Sequence, residues 1–399
     1  MAPKRSRLST SKTKGFFEVR LPQSEVKAQI ILEFFKAWAS IIYNTLRGDR
    51  RLGYVDLYAG RGYYDRCARD ESLEGPIPST PLMILAEAIS NPNFAASLVS
   101  IFNEGDPGKA SQLEKAIANL PGIDKLRFNP HVIAGDVSVG EFAKRFEAVS
   151  LIPTFVFLDP FGYKGLTRDL IKSVLKNWAC DVAFFFDYSN INRGLGTDIF
   201  DAHLEALFGA DRLNRLRATV SPIENPLDRE EIVLKELREA LHEIGGRHFI
   251  PYRFRDEFGR TSHHLVFTSK RFKGYHEMRK AIAKSSDSDE DGIPYYEFVA
   301  PSKGVQSGLF AQLPPRHFPY TMRWLEDDLV ARYGKGSRLT FEQLFENHSA
   351  IAGWPYLERH YRTALWHLVD RRRVDLFRDG KPYERRFKCP PETEIRFIP

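Results

Sequence analysis

The sequence predicts an α/β fold built on a mostly parallel sheet, followed by a small helical module that ends in a hairpin. Three observations carry this expectation. Short apolar runs alternate with helical patterns as far as residue 208, and each run ends in a polar, often acidic, tip. A stretch rich in Pro, Gly and Gln at 301–319 reads as a linker. Beyond it the pattern becomes three helices and two short strands. A length of 399 residues agrees with two domains, since one domain holds about 100–200 residues.

The first helix is expected over 24–46, where Ser24 can cap it and Ile30, Ile31, Phe34, Phe35, Trp38, Ile41 and Ile42 fall on one face. Strands ending in tips are expected at 53–60, 98–106, 131–136, 154–162 and 181–190. Helices fill 107–119, 138–147, 167–177, 196–208 and 227–245 between and after them. The runs 248–256 and 261–269, separated by 257-EFGR-260, predict an antiparallel hairpin. An acidic, serine-rich loop at 285–292 is expected to be exposed and mobile. In the C-terminal part, helices are expected at 320–333, 340–347 and 356–371. A hairpin of Val374–Phe377 and Glu384–Phe387 is expected around Asp379-Gly380. The expected domains are a basic disordered tail at 1–14, an α/β domain at 15–300, a linker at 301–319 and a winged-helix-like module at 320–399.

Composition excludes several classes. No apolar run approaches the roughly 18 residues that span a bilayer, so no membrane association is expected. The basic start lacks the apolar stretch of a secretory leader. Cys67, Cys180 and Cys389 are odd in number and far apart, which gives neither a disulfide framework nor a metal knuckle. A cytoplasmic protein without a metal is expected. The net charge of +6 is carried by the two ends, with Lys4, Arg5, Arg7, Lys12 and Lys14 in an acid-free tail. A polyanion would therefore meet the ends.

The strand tips are the candidate site, because an open parallel sheet binds ligands beyond the carboxyl ends of its strands. The first tip has Asp56 followed by Gly60 and Gly62, which allow close backbone approach. The second carries Glu104, suited to gripping ribose hydroxyls, together with Asp106. The third carries Asp136, placed for an adenine edge, and the fourth is 159-DPFG-162. Position 65 is Asp where a G-x-G-x-x-G fingerprint needs Gly, which counts against a dinucleotide. The four tips in βαβ order resemble the layout of S-adenosylmethionine-dependent methyltransferases, with a Rossmann-like class I fold. The Asp159 carboxylate and the Pro160 carbonyl would hold an exocyclic amine while Phe161 stacks on its base. Similar D-P-F-G elements occur in nucleic-acid amino methyltransferases.

Beyond the fold, the chain resembles the three-Cys-motif partner protein (TcmP) family. The stretches 24-SEVKAQIILEFF-35, 54-YVDLYAGRGYY-64 with 75-GPIPSTPLMIL-85, and 154-TFVFLDPFGYKGL-166 carry the resemblance. Members usually show Gly-Ser-Pro where this chain has 78-PST-80, and G-K-G where it has Gly60-Arg61-Gly62. The resemblance implies a methyltransferase-like fold and a radical-SAM-like partner protein carrying three cysteines. It also assigns Lys27 to the carboxylate of S-adenosylmethionine.

The C-terminal helix and hairpin are basic. Arg359, Arg362, Arg371, Arg372, Arg373, Lys381, Arg385 and Arg386, with Lys388, provide phosphate contacts for DNA or RNA if the helix enters a major groove. His263 and His264 alternate in an expected strand and so cannot chelate one metal together. The leading functional expectation is a methyltransferase acting on an amino group of a nucleic-acid base. The alternative is a non-catalytic scaffold subunit that recruits nucleic acid or the three-Cys protein. A metal-dependent nuclease using the acidic tips comes third.

Overall fold

The computed structural model describes residues 22–64, 76–135, 140–160, 165–197, 200–300, 320–350 and 355–398. The strands are β1 Leu52–Asp56, β2 Tyr63–Tyr64, β3 Ile77–Pro78, β4 Leu98–Glu104, β5 His131–Ala134, β6 Thr154–Leu158, β7 Asp181–Phe186, β8 His248–Arg255, β9 Thr261–Ser269, β10 Glu297–Val299, β11 Arg338–Thr340, β12 Val374–Arg378, β13 Lys381–Pro382 and β14 Glu394–Phe397. The helices are α1 Pro22–Thr45, α2 Thr80–Ser90, α3 Pro92–Ala95, α4 Pro107–Ala118, α5 Glu141–Ala148, α6 Arg168–Leu175, α7 Tyr188–Gly194, α8 Asp201–Phe208, α9 Ala210–Val220, α10 Pro226–Glu243, α11 Phe272–Lys284, α12 Met322–Tyr333, α13 Phe341–Ser349 and α14 Glu358–Asp370. The expected tail and linker, together with Asp136 and Phe161, lie outside the described residues. Among the described residues no helix is long and apolar enough to cross a membrane.

The described residues group into two compact units. One lies within Met1–Phe185 and Arg193–Arg217, the other within Phe186–Asn192 and Ala218–Pro399. Residues 218–300, expected in the first domain, thus group with the C-terminal module.

The first unit is a doubly wound α/β body. Its strands run parallel in the order β5-β4-β1-β6-β7, so the chain reverses direction between β1 and β6. Every residue of β1, β6 and β7 is buried, which is why these strands read as continuous apolar runs rather than alternating ones. Gly53 lets β1 and β6 close up, since a Cβ there would sit 2.3 Å from Thr154 Oγ1. Helix α1 buries Ile30, Ile31, Phe34, Phe35, Trp38 and Ile42, with Ile41 at the margin. Phe34 meets Phe155 edge-on at 4.7 Å, and Phe35 meets Tyr54 at 5.7 Å. Each such side chain contributes about 1.5–3 kcal/mol on burial. The helix starts at Pro22, ahead of the expected Ser24 cap, because a first-turn proline has no N–H to satisfy.

In the second unit β8 and β9 form the expected antiparallel pair, with a bulge between Phe254 and Arg255, and β10 runs parallel to β8. Further along, α12, α13 and α14 surround a core of Leu325, Leu329, Leu344, Tyr361 and Leu365. They pack with an antiparallel sheet in the order β11-β14-β12-β13. The Asp379-Gly380 turn forms, both residues having positive φ. The expected strand Glu384–Phe387 does not form. β12 pairs only briefly with β13, at Phe377–Arg378, and takes β14 as its main partner. Beyond Pro382 one more bond forms, Tyr383 N donating to Leu376 O at 2.9 Å, and Phe387 then lies in a turn with φ of +56°.

The 285–292 loop exposes Asp287, Ser288, Glu290 and Asp291, as expected, and forms a tight turn in which Gly292 N donates to Asp289 O at 3.0 Å. Asp289 accepts from Ile293 N at 2.7 Å, and Ile293 is fully buried in the α12–α14 core. Arg279 of α11 is the largest fully buried side chain. It donates to the carbonyl of Tyr356, to that of Ser349 at 3.5 Å and to the Tyr296 hydroxyl at 3.3 Å.

Candidate functional site

The switch point between β1 and β6 brings together residues from four elements of the first unit. Helix α1 delivers Lys27, whose Nζ forms an ion pair and hydrogen bond with Asp159, just past β6. The ammonium also sits 4.4 Å above the centre of the Phe185 ring on β7. Burial works against the charged lysine, but Asp159, Tyr64 and Asp56 outweigh it and raise its pKa. Lys27 therefore stays charged, and its partner is Asp159.

Asp56 ends β1 and is only 1% exposed. Its Oδ1 accepts from Tyr58 N at 3.0 Å. Burial pushes its carboxyl up to about 8; the nearby Asp159 and Glu104 charges add to the rise, while the Tyr58 N–H and Lys27 oppose it. At neutral pH it is mostly a neutral acid.

The glycines behind it divide in role. Gly60 has φ of +68°, and a Cβ there would meet nothing within 4 Å, so its open face admits a ligand. Gly62 has φ of +95°, and a Cβ would lie 2.9 Å from that of Ala116 on α4. Packing accounts for Gly62.

Glu104, at the end of β4, accepts from Gly60 N at 3.0 Å through Oε2 and from Asp106 N at 2.9 Å through Oε1. Each oxygen keeps a lone pair for a hydroxyl. Asp106 caps α4, its Oδ1 accepting from Gly108 N and Lys109 N at 2.8 and 3.1 Å. The structure brings Lys27, Asp56, Gly60, Glu104 and Asp159 to one rim and continues it to Pro160. Asp136 and Phe161 are outside the described residues.

Sequence reasoning missed two contributors. Asn103, fully buried, donates to Leu57 O at 3.3 Å and Gly135 O at 2.9 Å, tying the tips of β1 and β5. Its Oδ1 has no hydrogen-bond partner among the described residues. An amide in an otherwise apolar strand end was the available signal. The Tyr54 hydroxyl is also buried without such a partner, and burial raises its pKa, reinforced by Asp56 and Asp159.

The second unit holds another buried polar group, which the sequence suggested only as structural histidines. Glu230 accepts from Arg253 Nε and from Thr261 Oγ1, both at 2.6 Å, and lies 3.1 Å from His264 Nε2. Burial alone would raise its carboxyl, but His264, Arg253 and Thr261 bring it down to about 2. His263 points elsewhere, 3.7 Å from Asp187.

The expected basic set splits. Arg359 donates to Gly292 O at 2.7 Å, and Arg362 to Glu358 at 2.6 Å. Arg371 pairs with Glu326 and Arg386 with Asp370. Arg372, Arg373, Lys381 and Arg385 are exposed and make no ion pair among the described residues.

No established protein family and no curated protein matches the chain. Solved structures do resemble it. A DszA carbon methyltransferase is 11% identical with a TM-score of 0.37, over 64% of this chain and 57% of that one, so little more than half of DszA is spanned. A predicted O-methyltransferase from Agrobacterium tumefaciens is 13% identical with a TM-score of 0.27, over 58% of this chain and 79% of that one. The fibrillarin pre-rRNA processing protein of Methanococcus jannaschii is 13% identical with a TM-score of 0.28, over 59% of this chain and 76% of that one.

Proposed function

We propose that the chain is an S-adenosylmethionine-dependent methyltransferase that modifies an exocyclic amino group of a nucleic-acid base. The observation that carries this reading is Asp159. It stands at the switch point of a doubly wound sheet, with one carboxylate oxygen held by Lys27 and the side chain 24% exposed. The other oxygen, with the Pro160 carbonyl, is available to accept from an amine, and Phe161 would stack on its base. Fixing the amine this way aims its lone pair and removes the entropic cost of alignment.

The rim fits the cofactor in part. Gly60 offers an open backbone face and Glu104 keeps acceptor capacity for ribose hydroxyls; Gly62 shapes the turn and Asp136 would meet the adenine. S-adenosylmethionine, when bound, supplies the electrophilic methyl group. The C-terminal module, read as a winged helix, would bring nucleic acid to the chain. Association with a three-Cys radical-SAM-like protein rests on the sequence resemblance.

One observation favours the scaffold reading. Among the described residues, Lys27 and Asp159 neutralise each other and Asp56 is held mostly neutral, which leaves none of these three as a free charge for an amino-acid end. Calorimetric titration of the full chain with S-adenosylmethionine and S-adenosylhomocysteine decides between the two. Micromolar binding that disappears in Glu104→Ala supports the enzyme. No binding at millimolar cofactor by folded protein supports the scaffold.

A further inference from the structure

We propose that the C-terminal module meets duplex nucleic acid through its phosphate backbone, at the basic residues around the C-terminal end of α14, and not by laying α14 into a groove. The inference deepens the nucleic-acid part of the function proposed above and is independent of methyl transfer.

Helix α14 is largely covered along its middle turns. From His360 to Val369 no residue is exposed. Tyr361, Ala364, Leu365 and Leu368 belong to the core. Arg362, Trp366 and Asp370, four residues apart and hence one stripe, are contacted by the segment after β13. Arg362 Nε donates to Cys389 O at 3.3 Å, Trp366 Nε1 to Lys388 O at 3.4 Å, and Arg386 pairs with Asp370. His367 and Arg371 are bound to Glu326 of α12, and Arg359 and His360 to the carbonyl of Gly292. A groove-reading helix needs side chains free to reach base edges. Along its middle turns this helix has few to offer, since only Arg362, Thr363, His367 and Val369 are partly exposed and Arg362 and His367 are bound to other groups.

The unpaired charge lies elsewhere. Arg372 and Arg373 follow α14 directly, and Arg372 has φ of +56°, turning the chain out of the helix. Arg385 and Lys388 flank Arg386, whose bond to Asp370 fixes that turn at the same end of α14. Lys381 stands at the hairpin tip opposite Arg378. All five are exposed and without an ion pair among the described residues. Asp375, Asp379 and Glu384 are exposed in the same stretch, so the excess charge is modest. Phosphates are read by such a surface, whereas base sequence is not.

The test is fluorescence anisotropy of the full chain with labelled DNA duplexes of three unrelated sequences and one RNA duplex, from about 50 to 200 mM salt. Expected are affinities equal within about threefold across the DNA sequences and falling steeply with salt. Combined Arg372→Ala, Arg373→Ala and Lys381→Ala should flatten the log–log salt slope by about 2–3, near 0.9 per lost phosphate contact. Thr363→Val on α14 should leave binding unchanged. Binding of either duplex type with this behaviour supports the proposal. It is overturned by absence of binding at low salt, by a preference above about tenfold among sequences, or by an unaltered slope in the triple variant. Arg385→Ala with Lys388→Ala repeats the slope measurement should the triple variant fail to fold. Cofactor titration is untouched by either result, so the two readings fail separately.

Discussion

Lys27 and Asp159, separated by 132 positions in the chain, form one buried ion pair at the switch point of the sheet. The pair fixes the carboxylate that the proposed chemistry needs and ties α1 to the end of β6. Lys27→Met should cost about 1–3 kcal/mol in urea unfolding, below the range of a fully buried pair because Asp159 retains some solvent contact. Combining it with Asp159→Asn should recover most of that loss, since no uncompensated charge remains. A double variant at least as unstable as the sum of the two singles would show that the attraction is not what Lys27 contributes.

The same residues separate binding from transfer. Asp159→Ala should abolish methyl transfer to nucleic acid while leaving cofactor affinity within a few-fold. Parallel loss of both would place Asp159 in the cofactor site instead.

Asp56 makes stability fall as pH rises. Its carboxyl sits at about 8 in the folded chain against an ordinary 3.8. Between these values the folded state holds a proton the unfolded chain has released, so its contribution is present below about 4 and is lost progressively up to 8. Asp56→Asn retains an acceptor for Tyr58 N and should raise stability at pH 8 by roughly 2–4 kcal/mol, with little effect at pH 4. Unfolding midpoints of the two proteins across that range give the comparison; parallel curves would contradict the burial argument.

Glu230 has the opposite sign. Its carboxyl lies near 2, below the ordinary 4.5, so its contribution is present above about 4.5 and is lost as pH falls toward 2. Glu230→Gln should cost about 3 kcal/mol at pH 7 and progressively less below pH 4. A penalty independent of pH would point to packing alone.

The two glycines of the first tip should respond differently. Gly60→Ala meets no neighbour and should cost about 1 kcal/mol through its positive φ, whereas Gly62→Ala adds a clash with Ala116 and should cost about 2–3 kcal/mol. Chemical denaturation of both variants tests the ranking, and calorimetry should show the larger cofactor effect at Gly60.

Much of this was legible in the residues. Buried strands such as 154–158 and 181–186 announce themselves as apolar runs, and the Gly-rich tip after Asp56 places the candidate site. The apolar face of α1 was readable from its period. Partnerships between distant positions were not. Nothing local in 24-SEVKAQ-29 indicates that Lys27 meets Asp159, or that Asn103 bridges two strand tips. The basic run after α14 looked uniform as letters, yet Arg371 and Arg386 are consumed by Glu326 and Asp370, while Arg372 and Arg385 make no ion pair among the described residues. The Asp-Gly turn was legible, but the strand expected at 384–387 does not form, the ladder ending at Tyr383.

Arg279 bears on how portable the C-terminal helices are. Its guanidinium, on α11, serves the carbonyls of Ser349 and Tyr356, and Ile293 fills the core beside them. A fragment starting at residue 320 would lose that donor and leave a hole where Ile293 was. Such a piece is expected to aggregate or to melt without cooperativity. Swapping this module between proteins would therefore have to carry the β8–α11 region with it.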